Sequence, residues 1–166
     1  MTVPAPPEAL SSRLGYLLKH AYLRLGEESA EALAPFEIDG RELAVLALVD
    51  AHDALSQLEV AGLLGVDRTT MVALVDVLEG KGLVERRRSA QDRRKNIVHL
   101  TPSGRTRLQN AEAARHELER RFLAPLGPEA ARWVQALQSL VTAPADVSPS
   151  SRGSTAARPG AARPGR

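Results

Sequence analysis

The stretch that decides the fold covers residues 56–101 and reads SQLEVAGLLGVDRTTMVALVDVLEGKGLVERRRSAQDRRKNIVHLT. It begins with Ser56 three residues before Glu59, a capping-box pattern in which each side chain bonds the other residue's backbone amide at a helix start. Gly65 ends that helix, because glycine accepts the left-handed conformation found at helix C-termini. Asp67 then caps a second predicted helix. Two helices joined by so short a turn predict a helix-turn-helix.

Apolar side chains supply a small core between these two helices. The small residue Ala61 stands where the helices would approach each other, and the second helix, which runs to Gly80, is predicted to turn Val72, Val75 and Leu78 inward. The residues that can fill the space between the helices are Val60, Leu64, Val66, Met71 and Leu74. An ordinary helical hairpin would also fit the two helices taken alone.

The first turn of the second helix is polar, with Arg68, Thr69 and Thr70 in succession. Arginine can donate two hydrogen bonds to guanine, and threonine can bond a base or present its methyl group to thymine. The N-terminus of a helix also attracts phosphate. In a helix-turn-helix protein this end of the recognition helix meets base edges in the major groove.

A strongly basic β-hairpin is predicted directly after the two helices. A strand begins at Leu83, a polar turn follows at 89–92, and the chain returns through 97–100. Six basic residues between positions 85 and 95 outnumber Glu85 and Asp92, and they are Arg86, Arg87, Arg88, Arg93, Arg94 and Lys95. A solvated turn explains one or two arginines, whereas duplex DNA offers a phosphate about every 1.7 Å of its axis. The hairpin therefore favours contact with a polyanion.

Predicted helices flank this stretch on both sides. Apolar residues recur every three or four positions from Glu8 to about Leu33, which predicts a long amphipathic helix, and a second, short helix follows. After the hairpin, Thr101 followed by Pro102 is typical of a helix start. We expect a flexible N-terminus at 1–8. We also expect a disordered tail at 143–166, because Ala, Pro, Ser, Gly and Arg dominate there and cannot bury enough apolar surface.

In combination, these motifs resemble those of the MarR family of winged-helix regulators. The residues that carry the resemblance are 58–70, 74–86, Asp92-Arg93-Arg94-Lys95 and Leu100-Thr101-Pro102-Ser103-Gly104. The resemblance implies a mainly α fold with a small β-wing, in which flanking helices from both ends of the chain form a dimer. It also implies that each subunit places a recognition helix in the major groove and a wing in the minor groove, where Asp92 orients Arg94.

On this basis, residues 9–142 are expected to form a single MarR-like domain. Its winged helix-turn-helix would span about 41–101, and its helical dimerisation region about 9–34 and 102–142. The residues predicted to bind DNA are Arg68, Thr69, Thr70, Ala73, Arg86, Arg88, Asp92, Arg93, Arg94 and Lys95. One departure from the family is Val72-Ala73 in mid-recognition helix, where members commonly have a small polar residue followed by arginine. Specificity should therefore rely more on the first turn and on the wing.

The resemblance also implies a small-molecule effector, since many members are repressors released by aromatic or phenolic ligands that bind beside the dimerisation helices. The residues that could line such a cleft here are Tyr16, His20 and Phe36. Packing or dimer contact is the alternative role for Tyr16 and Tyr22, and His20 stands out as a polar group in an apolar stripe.

Several classes of protein are not expected. The chain has no cysteine, which excludes disulfides and thiolate metal sites. Asp50-Ala51-His52-Asp53 resembles a set of metal ligands, but adjacent helical residues point in different directions, so we expect neither a metal nor a cofactor. The four histidines are scattered and no glycine-rich phosphate loop is present, so we expect no catalytic residues and no enzyme. No membrane span or export signal is visible, which is compatible with the cytoplasm.

The function predicted from the sequence is a homodimeric, ligand-responsive transcription factor. It would act as a repressor on double-stranded DNA, at a pseudo-palindromic operator whose half-sites lie about one helical turn apart. A winged-helix module for protein contact is the alternative, and the basic wing argues against it because protein binding does not need that charge. A small enzyme is a third possibility that no polar cleft supports.

Overall fold

The computed structural model describes residues 7–52, 55–89 and 96–143, and it divides into two units at Gly127. The first unit, Met1–Gly127, holds five helices and three strands among its described residues. In chain order these are α1 Leu14–Leu33, α2 Gly40–Ala51, β1 Leu55–Ser56, α3 Gln57–Leu64, α4 Arg68–Gly80, β2 Val84–Arg88, β3 Asn96–Leu100 and α5 Pro102–Leu123. The second unit, Pro128–Arg166, holds α6 Ala130–Thr142.

The first long helix is shorter than predicted at its N-terminus, because α1 begins at Leu14 and not at Glu8. Residues Glu8–Leu10 form a separate 3-10 turn, in which the Ser11 hydroxyl donates to the Glu8 carbonyl at 2.8 Å. Arg13 then adopts an extended backbone, with φ −82° and ψ 112°. The apolar period continues through this break, so periodicity alone could not reveal it.

The core of the first unit lies between α2, the α3–α4 pair and the sheet. Val45 and Leu46 of α2 are fully buried, as are Val60 of α3 and Val75 of α4. The prediction that Ala61 lies at the close approach of α3 and α4 agrees with its burial in the same cluster. These contacts hold the two helices of the helix-turn-helix against one shared core.

The prediction that Val72 faces the core is wrong. Val72 is 38% exposed, whereas Met71 is buried together with Val75 and Leu78. The cap at Asp67 sets where α4 begins, and the inward face then falls on positions 71, 75 and 78, spaced by four and three. Val72, one residue later, is rotated by about 100° around the helix and reaches solvent.

The local signals at the ends of the helices are confirmed. The reciprocal bonds of Ser56 and Glu59 cap α3, and Gly65 closes that helix with φ 64°. Asp67 caps α4, and the Thr101 hydroxyl accepts from the Gly104 amide at the start of α5. Side chains of this kind satisfy amides that the first helical turn leaves without partners.

The wing belongs to a three-stranded antiparallel sheet in the order β1-β3-β2. The hairpin pairs Val84 with Leu100 at its base and Arg88 with Asn96 at its outer end. The two-residue strand β1, which the sequence did not predict, pairs Leu55 with Val98. It attaches the wing to the residues that lead into α3.

The second unit contributes a single helix among its described residues. Helix α6 places Trp133 on its surface, and Leu140 and Val141 near its C-terminus are also exposed. In the described parts of the chain, no helix has the length and apolar content needed to cross a membrane.

A close approach between backbones yields a stability prediction. A Cβ added at Gly104 would lie 1.9 Å from the carbonyl oxygen of Leu83, so the start of α5 and the base of the wing would have to separate. We expect Gly104→Ala to destabilise the protein by about 2 kcal/mol or more, as measured by urea denaturation.

The matched control is Gly62→Ala in α3, where an added Cβ meets nothing within 4 Å. This change should raise stability by about 0.5–1 kcal/mol, because alanine loses less backbone entropy than glycine. Equal midpoints for Gly104→Ala and the unaltered protein would show that the close approach does not exist.

Candidate nucleic-acid interface

The first turn of α4 presents its polar residues to solvent. Asp67 accepts from the Thr70 amide at 3.0 Å and from the Thr70 hydroxyl at 2.6 Å. These two bonds lower the pKa of Asp67 below its ordinary 3.8, so the cap is intact at neutral pH and is lost only as pH falls through that lowered value. The amide and hydroxyl of Thr70 are therefore both bonded to the Asp67 cap, whereas the Arg68 and Thr69 side chains are exposed.

A groove of about 360 Å³ runs beside this turn, between the first residues of α3 and α4 and the start of β3. Two exposed apolar side chains border it, Leu58 with 70% exposure and Val72. In the described part of the chain, the side-chain amide nitrogen of Gln57 is buried without a hydrogen-bond partner. Sequence reasoning missed Gln57 and Leu58, although their position directly after the Ser56 cap could have indicated them. The predicted site residue Ala73 is exposed on α4.

Arg86 connects the wing to α4. Its guanidinium group forms ion pairs with Asp76 and Glu79, and its backbone amide donates to the Glu79 carboxylate at 3.2 Å. The Arg86 side chain is only 19% exposed. The residue predicted to contact DNA is therefore already engaged by two carboxylates of the same chain. The sequence signal for these ion pairs is two acidic residues three positions apart on α4, followed by a basic strand.

The remaining basic residues of the wing differ in their surroundings. Arg87 is exposed and forms an ion pair with Glu85 two residues earlier. Arg88 is exposed at the outer end of β2. The other predicted wing residues, Asp92, Arg93, Arg94 and Lys95, lie outside the described residues.

The C-terminal end of α4 is also anchored. The Lys81 ammonium group donates to the Glu37 carbonyl and to the Glu42 carboxylate, both at 2.6 Å. Glu42 is buried, and its other carboxylate oxygen accepts from the Asp39 amide in the capping box of α2. The end of α4 is thereby attached to the start of α2.

The predicted ligand residues are only partly brought together. The rings of Tyr16 and His20 stack with centroids 3.9 Å apart, and His20 Nδ1 donates to the Tyr16 carbonyl at 2.8 Å. His20 is exposed on α1. Phe36 instead packs against the core, and its carbonyl accepts from Arg107 of α5.

The residues whose sequence resembles a set of metal ligands make other contacts. Asp50 pairs with Arg105 of α5 at 2.6 Å, and His52 Nδ1 donates to the Leu48 carbonyl at 2.9 Å. Asp53 lies outside the described residues. Within 7–52, 55–89 and 96–143, no group of three or more histidine and acidic side chains is arranged to hold a metal ion.

A helix pair with a short turn, followed by a hairpin on the same core, defines a winged helix-turn-helix protein. Residues 36–95 match the family model described as "MarR family". A "Putative transcriptional regulatory protein for hcr operon" from Thauera aromatica is 29% identical over 119 residues, which are 71% of this chain and 72% of that protein.

Solved structures agree. The "Transcriptional repressor, CouR, bound to a 23-mer DNA duplex" is 35% identical, with a TM-score of 0.75 over 85% of this chain and all of that one. CouR from Rhodococcus jostii RHA1 bound to p-coumaroyl-CoA is 28% identical, with a TM-score of 0.73 over 83% of this chain and 98% of that one. The chain belongs to the MarR family of transcriptional regulators, which confirms the predicted family and fold. A family of regulators also confirms that the chain is not an enzyme.

The contacts of Arg86 predict how the wing responds to substitution. Removing the guanidinium by Arg86→Met should lower amide-exchange protection across 86–88 by about tenfold, since β2 would lose its attachment to α4. Glu79→Gln should have a similar effect, measured by hydrogen exchange with mass spectrometry.

The control is Glu85→Gln, which removes the exposed partner of Arg87 and should leave that protection unchanged. Full protection of the strand in Arg86→Met would mean that the ion pairs do not hold the wing.

Proposed function

We propose that this chain is a sequence-specific, DNA-binding homodimer that represses transcription and is released from its operator by a small ligand. The observation that carries the proposal is the exposed first turn of α4, where Arg68 and Thr69 face solvent at a helix end capped by Asp67. Side chains so placed meet base edges when the helix enters the major groove.

In this proposal, the chain recognises bases both by hydrogen bonds and by apolar contacts. Arg68 donates to guanine, and Thr69 bonds a base or contacts a thymine methyl group. The exposed apolar side chains Leu58, Val72 and Ala73 lie on the same two helices and suit thymine methyl groups. The operator should therefore contain thymine at positions where many relatives would require a hydrogen bond.

The wing supplies the electrostatic part of binding. Arg88 at the outer end of β2, together with the sequence-predicted Arg93 and Lys95, would neutralise backbone phosphates. Arg94, oriented by Asp92, would enter the minor groove, whose negative potential attracts a guanidinium. Arg86 would act indirectly, by holding the wing at a fixed angle to α4.

A second copy of this chain is the partner that we propose for α1. Leu14, Leu18 and Tyr22 follow one another at intervals of four along this helix, so they share one face. Leu14 is 65% exposed and Tyr22 is 75% exposed. Such a stripe of large apolar side chains on a helix surface is typical of a subunit interface. The dimer would place two recognition helices about one turn of DNA apart.

Repression and the binding of a small ligand are supported by the relatives. CouR is a transcriptional repressor that has been solved with p-coumaroyl-CoA. NicR from Pseudomonas putida, 30% identical over 98 residues, is named a transcriptional repressor. We propose an aromatic ligand for this chain, contacted by the stacked Tyr16 and His20 and by Phe36. The protein would act in the cytoplasm, beside the DNA that it regulates.

Base reading by α4 is tested with Arg68→Met. We expect the affinity for an operator selected from a random duplex library to fall by about 1–3 kcal/mol, or about 5- to 150-fold. Affinity for an unrelated duplex should fall much less. Fluorescence anisotropy at fixed salt measures both.

The matched control is Arg41→Met, which removes an exposed arginine from the start of α2. Failure to select any operator, together with affinity that does not depend on salt, would favour a protein-contact module. If Arg68→Met lost as much affinity for the unrelated duplex as for the operator, Arg68 would contact phosphate and not a base.

The dimer is tested with Tyr22→Asp. A charge at an aromatic position that the proposed dimer would bury should raise the dimer dissociation constant by about 30-fold or more, equivalent to about 2 kcal/mol. Sedimentation equilibrium measures it. Leu63→Asp, at an exposed apolar position of α3, serves as the control. A monomeric wild-type protein, or an unaffected Tyr22→Asp dimer, would contradict this interface.

A further inference from the structure

A polar pocket lies on the side of the wing that faces away from α4. Side chains alternate along a strand, so Arg86 of β2 faces α4 while Arg87 faces the opposite side. On that side, Arg87 and His99 of the hairpin meet His52 at the end of α2 and Arg105 near the start of α5. The pocket has a volume of about 300 Å³. Four separate elements thus direct nitrogen-bearing side chains into one small space.

The two arginines keep donors available for a ligand. Arg105 pairs with Asp50 through a single nitrogen at 2.6 Å, and Arg87 pairs with Glu85 through a single nitrogen. A guanidinium group has five N–H donors in a planar fork, so most donors on each remain outside these pairs. Both side chains are exposed at the pocket mouth. Two forks from different directions match the oxygens of a tetrahedral anion.

The histidines add donors whose number depends on protonation. A carbonyl oxygen can only accept, so the bond from His52 Nδ1 to the Leu48 carbonyl places a proton on Nδ1. The other nitrogen, Nε2, therefore becomes a donor only when the ring is protonated. His99 lies directly opposite Glu85 in the hairpin register. The charged and titratable groups around the pocket are Asp50, His52, Glu85, Arg87, His99 and Arg105.

We propose that this pocket binds a phosphate group. The ligand's oxygens would accept from the Arg87 and Arg105 guanidinium groups, and binding would be strongest with His52 and His99 protonated. Asp50 and Glu85 each hold one nitrogen of these arginines, and the phosphate would accept from the N–H donors that remain. The phosphate belongs either to a free small molecule or to the DNA backbone beside the wing. The site is separate from the base-reading face of α4 and does not depend on it.

The first arm of the test uses the full-length protein without DNA. Pyrophosphate is titrated while the arginine side-chain Nε–H signals are followed by NMR. We expect saturable shifts of Arg87 and Arg105, and an affinity at least about tenfold weaker in Arg105→Met and in Arg87→Met, the loss typical of a charge-assisted bond. Arg120→Met, which removes an exposed, ion-paired arginine near the far end of α5, should leave the affinity unchanged.

Protonation is tested with sulfate, whose own charge is constant at neutral pH. Sulfate should bind more tightly at pH 6 than at pH 8, and this difference should shrink in the His52→Gln variant. A pH-independent affinity would remove the histidines from the site.

The second arm identifies the source of the phosphate. If it is the DNA backbone, the slope of log affinity against log salt for a duplex should fall in Arg105→Met by about 0.9 per phosphate lost. If Arg105→Met loses pyrophosphate binding but keeps the salt slope for the duplex, the site belongs to a free phosphate-bearing molecule. The proposal is wrong if Arg105→Met and Arg87→Met have the same pyrophosphate affinity and the same salt dependence of duplex binding as Arg120→Met.

Discussion

The ion pairs of Arg86 with Asp76 and Glu79 are the interaction on which the proposed DNA-reading surface depends. They join a wing strand to the solvent-facing side of α4. The single positive charge of the arginine offsets part of the negative charge of the two carboxylates. In the proposed complex, this one side chain would hold the wing at a fixed angle to α4 and would reduce the repulsion between α4 and DNA.

The ends of α4 are held by different means. At its N-terminus, Asp67 bonds Thr70 and leaves Arg68 and Thr69 to solvent. At its C-terminus, Lys81 bonds the Glu37 carbonyl and the buried Glu42. Packing through Met71, Val75 and Leu78 fixes the helix between these ends. A recognition helix held at three places can present its first turn without rearranging, which lowers the entropic cost of binding.

Much of the fold could be predicted because its signals are local. The Ser56–Glu59 box, Gly65 and the Thr101 cap each involve residues within a few positions, and the structure confirms them. The two-residue strand β1 could not be predicted, since its partner Val98 lies 43 residues after Leu55. The sequence predicts Val72 on the inward face, and this is wrong because a shift of one residue changes which side of a helix is buried. The sequence predicts the same role for Arg86 as for the other wing arginines, because composition does not reveal that alternate strand residues face different partners.

The central claim is that Arg86 supports DNA binding through α4 and not by touching DNA. Its most direct test is the operator affinity of Arg86→Glu alone and combined with Glu79→Arg. The single variant should bind at least about a hundredfold more weakly, because repulsion from Asp76 and Glu79 would separate the wing from α4. Reversing the pair should restore affinity to within about tenfold of the unaltered protein. A double variant as weak as the single one would contradict the account and make Arg86 a direct contact of the DNA.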